Sequence, residues 1–161
     1  MAKSEILGIG ALSQSFQQLK TGMETRVARL MVASGGGVLR SKARGIAQAK
    51  GLRKTGALIK NIVIKREPQA PAGTAQYNLG VRHGRNLTKK QKTNSKLAIN
   101  KTGRIVKRYE DDPYYWRFPE FGTKKQQASP FLQPALEQGK EEVIDAMADR
   151  LDKEHAKASK A

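Results

Sequence analysis

The chain has no cysteine and only two histidines among its 161 residues. Disulfides and thiolate chemistry are therefore excluded, and His83 and His155 alone cannot assemble a zinc cluster. His83 follows Arg82 and reads as a surface or turn residue, while His155 falls in a terminal stretch where fraying is expected. No apolar run approaches the roughly 18–20 residues of a membrane span, so no membrane partner is expected. The opening "MAKSEILGIGALSQSF" lacks a sustained apolar core followed by a small-residue cleavage site, and no secretory leader is expected. "GIGALS" and "SGGGVLRSK" are glycine-rich but lack the Gly-x-x-x-x-Gly-Lys-Ser/Thr pattern of a phosphate loop. Glu110, Asp111 and Asp112 are consecutive carboxylates on which no other ligand set converges. No catalytic, cofactor-binding or metal residue is assigned, and the expectation is a protein that is not an enzyme.

Acidic residues are also scarce where basic ones are dense. The formal net charge is +17, and between Thr25 and Tyr109 the only acid is Glu67, among 21 lysines and arginines. From Glu137 to Glu154 the balance reverses to seven acids against three bases. A basic middle and an acidic tail make a dipolar subunit, which points to a polyanion or an acidic partner more than to a merely solvated surface. No zinc finger, RNA-binding sheet signature or helix-turn-helix spacing appears, and the aromatics lie outside the most basic stretch. Any nucleic-acid contact would be phosphate electrostatics.

The length suits one domain, 1–161, and the patterns divide it into regions. Leu12, Phe16, Leu19, Met23, Val27 and Leu30 recur at steps of three and four, which predicts a helix. The Ser34–Gly37 stretch should weaken or break it. A second helical stretch, from about Val38 to Ala49, carries Arg40, Lys42, Arg44 and Lys50 on its surface. Its small residues Ala43, Ala47 and Gly51 invite another backbone to approach. Region 1–50 is thus helical, as a hairpin or as one kinked helix. Thr55-Gly56 is a turn signal, and the β-branched run from Leu58 to Lys65 predicts a strand ending near Glu67. Tyr77, Leu79 and Val81 alternate with Asn78, Gly80 and Arg82, which predicts a half-buried partner strand.

Region 55–122 is then a sheet interrupted by a basic excursion, 85–108. The excursion is a long loop or two ragged strands turning at Asn100–Gly103. Its cations have almost no acids to pair with, so it should project as an arm or extended hairpin. Arg85, Lys89, Lys90, Lys92, Lys96, Lys101, Arg104, Lys107 and Arg108 are the candidate contacts to DNA or a protein partner.

Five of the nine aromatic residues fall in Tyr114–Phe121, so any aromatic core is concentrated there. The stretch predicts a strand with Trp116 and Phe118 under a helix, and its Pro119 puts the strand's end at an edge or bend. Gly122 and Thr123 form a corner. Ser129-Pro130 offers a cap followed by a helix-starting proline, and Pro134 repeats the signal. A C-terminal helix over 129–155 follows, with Leu132, Leu136, Val143, Met147 and Leu151 inward, widened by Ile144. Phe131 and Leu132 should plug its base. Glu120, a carboxylate within the aromatic run, pairs with an arginine or caps backbone N–H groups, within the subunit or on a neighbour. The fold class is α+β: a small, mostly antiparallel sheet with N-terminal helices and a long C-terminal helix packed on one face.

Three elements carry a resemblance: "KTGALIKNIVI" with Thr55, Gly56 and Leu58; "EFGT" with Glu120, Phe121, Gly122 and Thr123; and "ASPFLQPALE" with Pro130, Phe131, Leu132 and Pro134. In that order, with "YNLGVRHG" between the first two, they resemble the tail-component family of tailed bacteriophages, the neck or tail-completion proteins. The resemblance touches most of 38–150. It implies a structural virion protein, present in host cytoplasm during assembly, that forms a homo-oligomeric ring of six copies at the head-proximal tail end. The implied partners are the tail terminator, the connector and other neck and tail proteins. Genomic DNA and the tape-measure protein are further candidates. The rival expectation is a basic cellular nucleic-acid-binding protein of ribosomal type. Gene neighbours encoding portal, capsid and tail-tube proteins would separate the two.

Overall fold

A computed structural model describes residues 9–52, 55–71 and 74–158, with side chains over 24–157. Helix α1 runs without interruption from Ile9 to Ala49, straight through the glycines. The side chains of Leu12, Phe16, Leu19 and Met23 lie outside the described residues; Val27 and Leu30 are half-buried. The helix ends in a Schellman turn, in which Leu52 N–H donates to Ala47 O and Gly51 N–H to Gln48 O, each at 3.0 Å.

The glycine run is a packing slot. A Cβ at residue 35 would lie 2.9 Å from Val143 Cγ1, and one at residue 36 would lie 3.1 Å from Ile64 Cδ1. Two consecutive glycines thus admit the C-terminal helix on one side of α1 and the sheet on the other. The ~1 kcal/mol that each glycine costs a helix interior is offset by these contacts. At Gly37 nothing lies within 4 Å of a built Cβ. Gly37→Ala is therefore expected to raise stability by about 1 kcal/mol. Gly35→Leu, forced into Val143 and Met147, is expected to lower it by about 1–3 kcal/mol. Thermal melts of the two variants moving in opposite directions would check the slot.

After α1 come a one-turn helix, α2 (Ala57–Asn61), and the antiparallel pair β1 (Ile62–Arg66) and β2 (Tyr77–Val81), in register Ile62↔Val81 and Ile64↔Leu79. The strand expected from Leu58 begins at Ile62 instead. Leu58, Asn61 and Ile62 are all buried at helical spacing, and Thr55 Oγ1 accepts from Ala57 N–H at the helix start. A 3₁₀ turn at Gly84–Asn86 leads to α3 (Lys89–Thr93) and a second antiparallel pair, β3 (Ser95–Ile99) and β4 (Ile105–Tyr109). The protein is α+β, with two small antiparallel sheets among the described residues where one was expected.

The strand expected at Tyr114–Phe121 is a turn followed by α4 (Arg117–Phe121). Trp116 N–H donates to Pro113 O at 3.0 Å and Phe118 N–H to Tyr115 O at 2.9 Å, so the backbone coils locally. Pro119 does not disrupt so short a helix, because an N–H in its first turn has no intrahelical acceptor. The period is helical: Trp116, Pro119 and Glu120 face inward, while Tyr114, Phe118 and Phe121 are exposed. Phe118 is therefore not core.

The C-terminal helix is two, α5 (Leu132–Gln138) and α6 (Lys140–Ala158), meeting at the buried Gly139. Val143 and Met147 face α1. Leu136, Ile144 and Leu151, expected inward, are exposed. The core is a compact cluster of Ala43, Ala47, Leu58, Ile62, Phe131 and Ala135, with Ile46, Leu79, Val81, Trp116 and Leu132 packed around it. The small residues Ala43 and Ala47 are fully buried, as a close backbone approach requires.

Candidate functional site

The residues that carry the resemblance converge on one corner of the molecule. Glu120 is 7% exposed. Its Oε2 accepts from the N–H of Phe131 at 2.8 Å and of Leu132 at 3.1 Å, and its Oε1 accepts from Gln133 N–H at 3.2 Å. A helix starts with four backbone donors that have no partner inside it. With Phe131 as the N-cap of α5, those donors belong to residues 131–134. Glu120 takes three of them, and Pro134 has no N–H to satisfy. The carboxylate also lies at the positive end of the helix dipole. Of the alternatives open for Glu120, the structure selects an internal backbone cap. The cap expected from Ser129 does not form: the N-cap of α5 is Phe131, two residues on, and its donors are taken by Glu120, while Ser129 N–H donates to Pro119 O at 2.7 Å.

The loop between Glu120 and Phe131 is shaped to return. Gly122 has φ 76° and ψ 177°, a conformation open essentially to glycine alone. A Cβ there would lie 3.0 Å from Ala128 N. Thr123 N–H donates to Gln126 O at 2.8 Å, and Thr123 Oγ1 accepts from Gln126 N–H at 3.1 Å and Lys125 N–H at 3.3 Å. Phe131, delivered by this loop, is fully buried in the same cluster as Leu58, three residues beyond Thr55. Leu132 is half-buried beside it. Trp116 is half-buried, its ring centroid 6.1 Å from that of His83 and 6.3 Å from that of Phe121, with the Arg117 guanidinium 5.5 Å above it. Phe121 itself is exposed.

Three of the four basic residues read as α1's outer surface instead tie α1 to its neighbours. Lys50 Nζ donates to Pro130 O at 2.7 Å, just ahead of α5. Lys42 Nζ donates to Gln138 O at 2.9 Å, at the far end of α5, and pairs with Glu142. Arg44 Nη2 donates to Ile62 O at 2.9 Å and Lys60 O at 3.3 Å. Burial, and then the nearby charge of Arg40, hold the Arg44 guanidinium below its ordinary pKa.

Asn61 is an anchoring residue that the sequence did not single out. Fully buried, its Nδ2 donates to Ala57 O and Asp111 O, both at 2.9 Å, and its Oδ1 accepts from Gln91 Nε2 at 2.8 Å. That amide anchors the basic excursion to the body. Leu87, also buried, and the Thr88–Gln91 capping box on α3 complete the base. Lys92 Nζ donates to Arg85 O at 2.8 Å within it, while Lys89 and Lys90 are exposed.

Beyond the base stands the β3–β4 hairpin. The Asn100 side chain closes its turn by accepting from Thr102 N–H and Arg104 N–H. Lys96 pairs with Glu110 at 2.8 Å, and that hydrogen bond raises the lysine's pKa. Lys101, Arg104, Lys107 and Arg108 are exposed with no ion-pair partner among the described residues. The basic candidates therefore separate into an anchored base and a free hairpin. Among the described residues no group of His, Asp and Glu could hold a metal ion, and no helix is long and apolar enough to cross a membrane. No family model, curated protein or solved structure matches the chain.

Proposed function

We propose that this chain is a structural, non-enzymatic protein of a tailed-phage virion, a neck or tail-completion component that forms a ring at the head-proximal end of the tail. One observation carries the reading. The three sequence elements behind the resemblance, far apart in the chain, meet: Glu120 caps the helix that begins after Pro130, and Phe131 and Leu58 belong to one buried cluster. That convergence gives their joint occurrence a physical reason.

A ring subunit must hold its contact surfaces in fixed relation while meeting identical copies. The capped corner fixes α5 against α1 and α2, and the hairpin, which packs chiefly on α3, offers exposed cations. Heterologous contacts between identical subunits close into rings when the rotation permits. The partners proposed are other copies of the chain, six in all, and the tail terminator and connector above and below. Exposed Lys101, Arg104, Lys107 and Arg108 are candidates to meet genomic DNA or a neighbouring protein such as the tape measure. The test is a reconstruction of the virion neck. The expected result is a closed ring of this chain between connector and tail tube. A single copy, or none, would overturn the reading.

A further inference from the structure

The hairpin carries apolar surface with nothing over it. Leu97, Ile99 and Ile105 are 77%, 71% and 73% exposed. Ile99 and Ile105 are cross-strand partners, and Leu97 lies on the same face opposite Lys107. A two-stranded ribbon is only marginally stable in water, and in its own subunit this one packs chiefly on α3. Duplex DNA would meet Lys101, Arg104 and Lys107 well, but it offers no partner for three aliphatic side chains.

A surface that matches both features lies on the same chain. On α6, Ile144 and Leu151 are 65% and 45% exposed. They stand two turns apart on one face, with exposed Ala148 between them. Glu141, Asp145, Asp149 and Asp152 run along one flank of that stripe, exposed and with no ion-pair partner among the described residues. From Ile144 to Leu151 the stripe is about 10 Å long, close to the length of the hairpin's apolar face, about 7 Å from Leu97 to Ile99 plus the side chains.

We infer that the β3–β4 hairpin of one copy lies on α6 of the next. Leu97, Ile99 and Ile105 cover Ile144, Ala148 and Leu151, while Lys107, Lys101 and Arg104 face the acidic flank. The contact is heterologous, so each copy offers one hairpin and one stripe. The inference rests on the ring reading above and specifies the joint between its subunits.

The absence of cysteine makes the test direct. Ile99→Cys and Ile144→Cys variants, carrying different tags, are mixed at millimolar concentration and treated with a short bismaleimide. The expected product joins the two different variants, and a chain with both substitutions gives a ladder of multiples. Sedimentation supplies a second readout. Lys107→Glu and Asp145→Lys should each weaken self-association about tenfold, and the two together in one chain should restore it. Crosslinks only between like variants, a chain that stays monomeric throughout, or charge variants without effect would overturn the inference. So would a duplex oligonucleotide that abolishes the crosslink, which would assign the hairpin to DNA. A neck without this chain would overturn the phage reading and leave the crosslink standing. A neck ring whose hairpins crosslink elsewhere would overturn this inference alone.

Discussion

Phe131→Ala is expected to destabilise the protein by about 3–5 kcal/mol. The ring is fully buried, and it touches the one cluster where α1, α2 and α5 meet. Ala43, Ala47 and Ala135 line that cluster and have no side-chain length with which to fill the space left behind. Small domains are stable by only about 5–15 kcal/mol, so the variant should sit near the edge of folding. Urea unfolding, compared with the parent, reads the loss as a lower midpoint at unchanged slope. A loss under about 1 kcal/mol would mean that the cluster collapses around the gap.

Glu120→Ala should cost about 2–4 kcal/mol by a different route. Besides the volume removed, three backbone N–H groups at the start of α5 lose their acceptor together. Glu120→Gln is the informative companion. Its shape is nearly unchanged, yet it presents one oxygen where there were two, and an NH₂ group facing donors. If the carboxylate acts as a helix cap, the glutamine variant loses a large part of the same stability. If Glu120 matters only as filled volume, Gln behaves like the parent. Denaturant midpoints of the two variants distinguish these outcomes.

Short-range patterns were readable in the chain. The alternation in Tyr77–Val81 marks β2, and of the two readings open for 85–108, a long loop or two strands turning at Asn100–Gly103, the second is the one found. What stayed hidden was set by partners far away in sequence. Whether glycine breaks a helix depends on what lies beside it, and Val143 and Ile64 are what lie beside Gly35 and Gly36. The cap on α5 was sought next door, at Ser129, because local caps have a local signature; a carboxylate reaching back across a loop has none. The aromatic run carries a strand's composition, and a single turn of helix is too short to display its period. The charge on α1 shows in the sequence only as surface charge, while Lys42, Arg44 and Lys50 donate to carbonyls of the same subunit. For the candidate site, the motif residues were legible as a set, but their joint purpose was not. Asn61 carried no signal, since its importance lies in three partners spread over fifty residues.

The loop closed by Glu120 has a kinetic consequence. It joins residues eleven apart, and a flexible loop of that length closes in about 10–100 ns. The contact between Lys42 on α1 and Glu142 on α6 spans a hundred residues, and such long-range pairings are what slow a folding reaction. The corner can therefore form early and repeatedly while the two ends of the chain are still apart. Seating α6 in the glycine slot of α1 is therefore expected to come late, and substitutions at that slot should change the folding rate, which stopped-flow refolding would read.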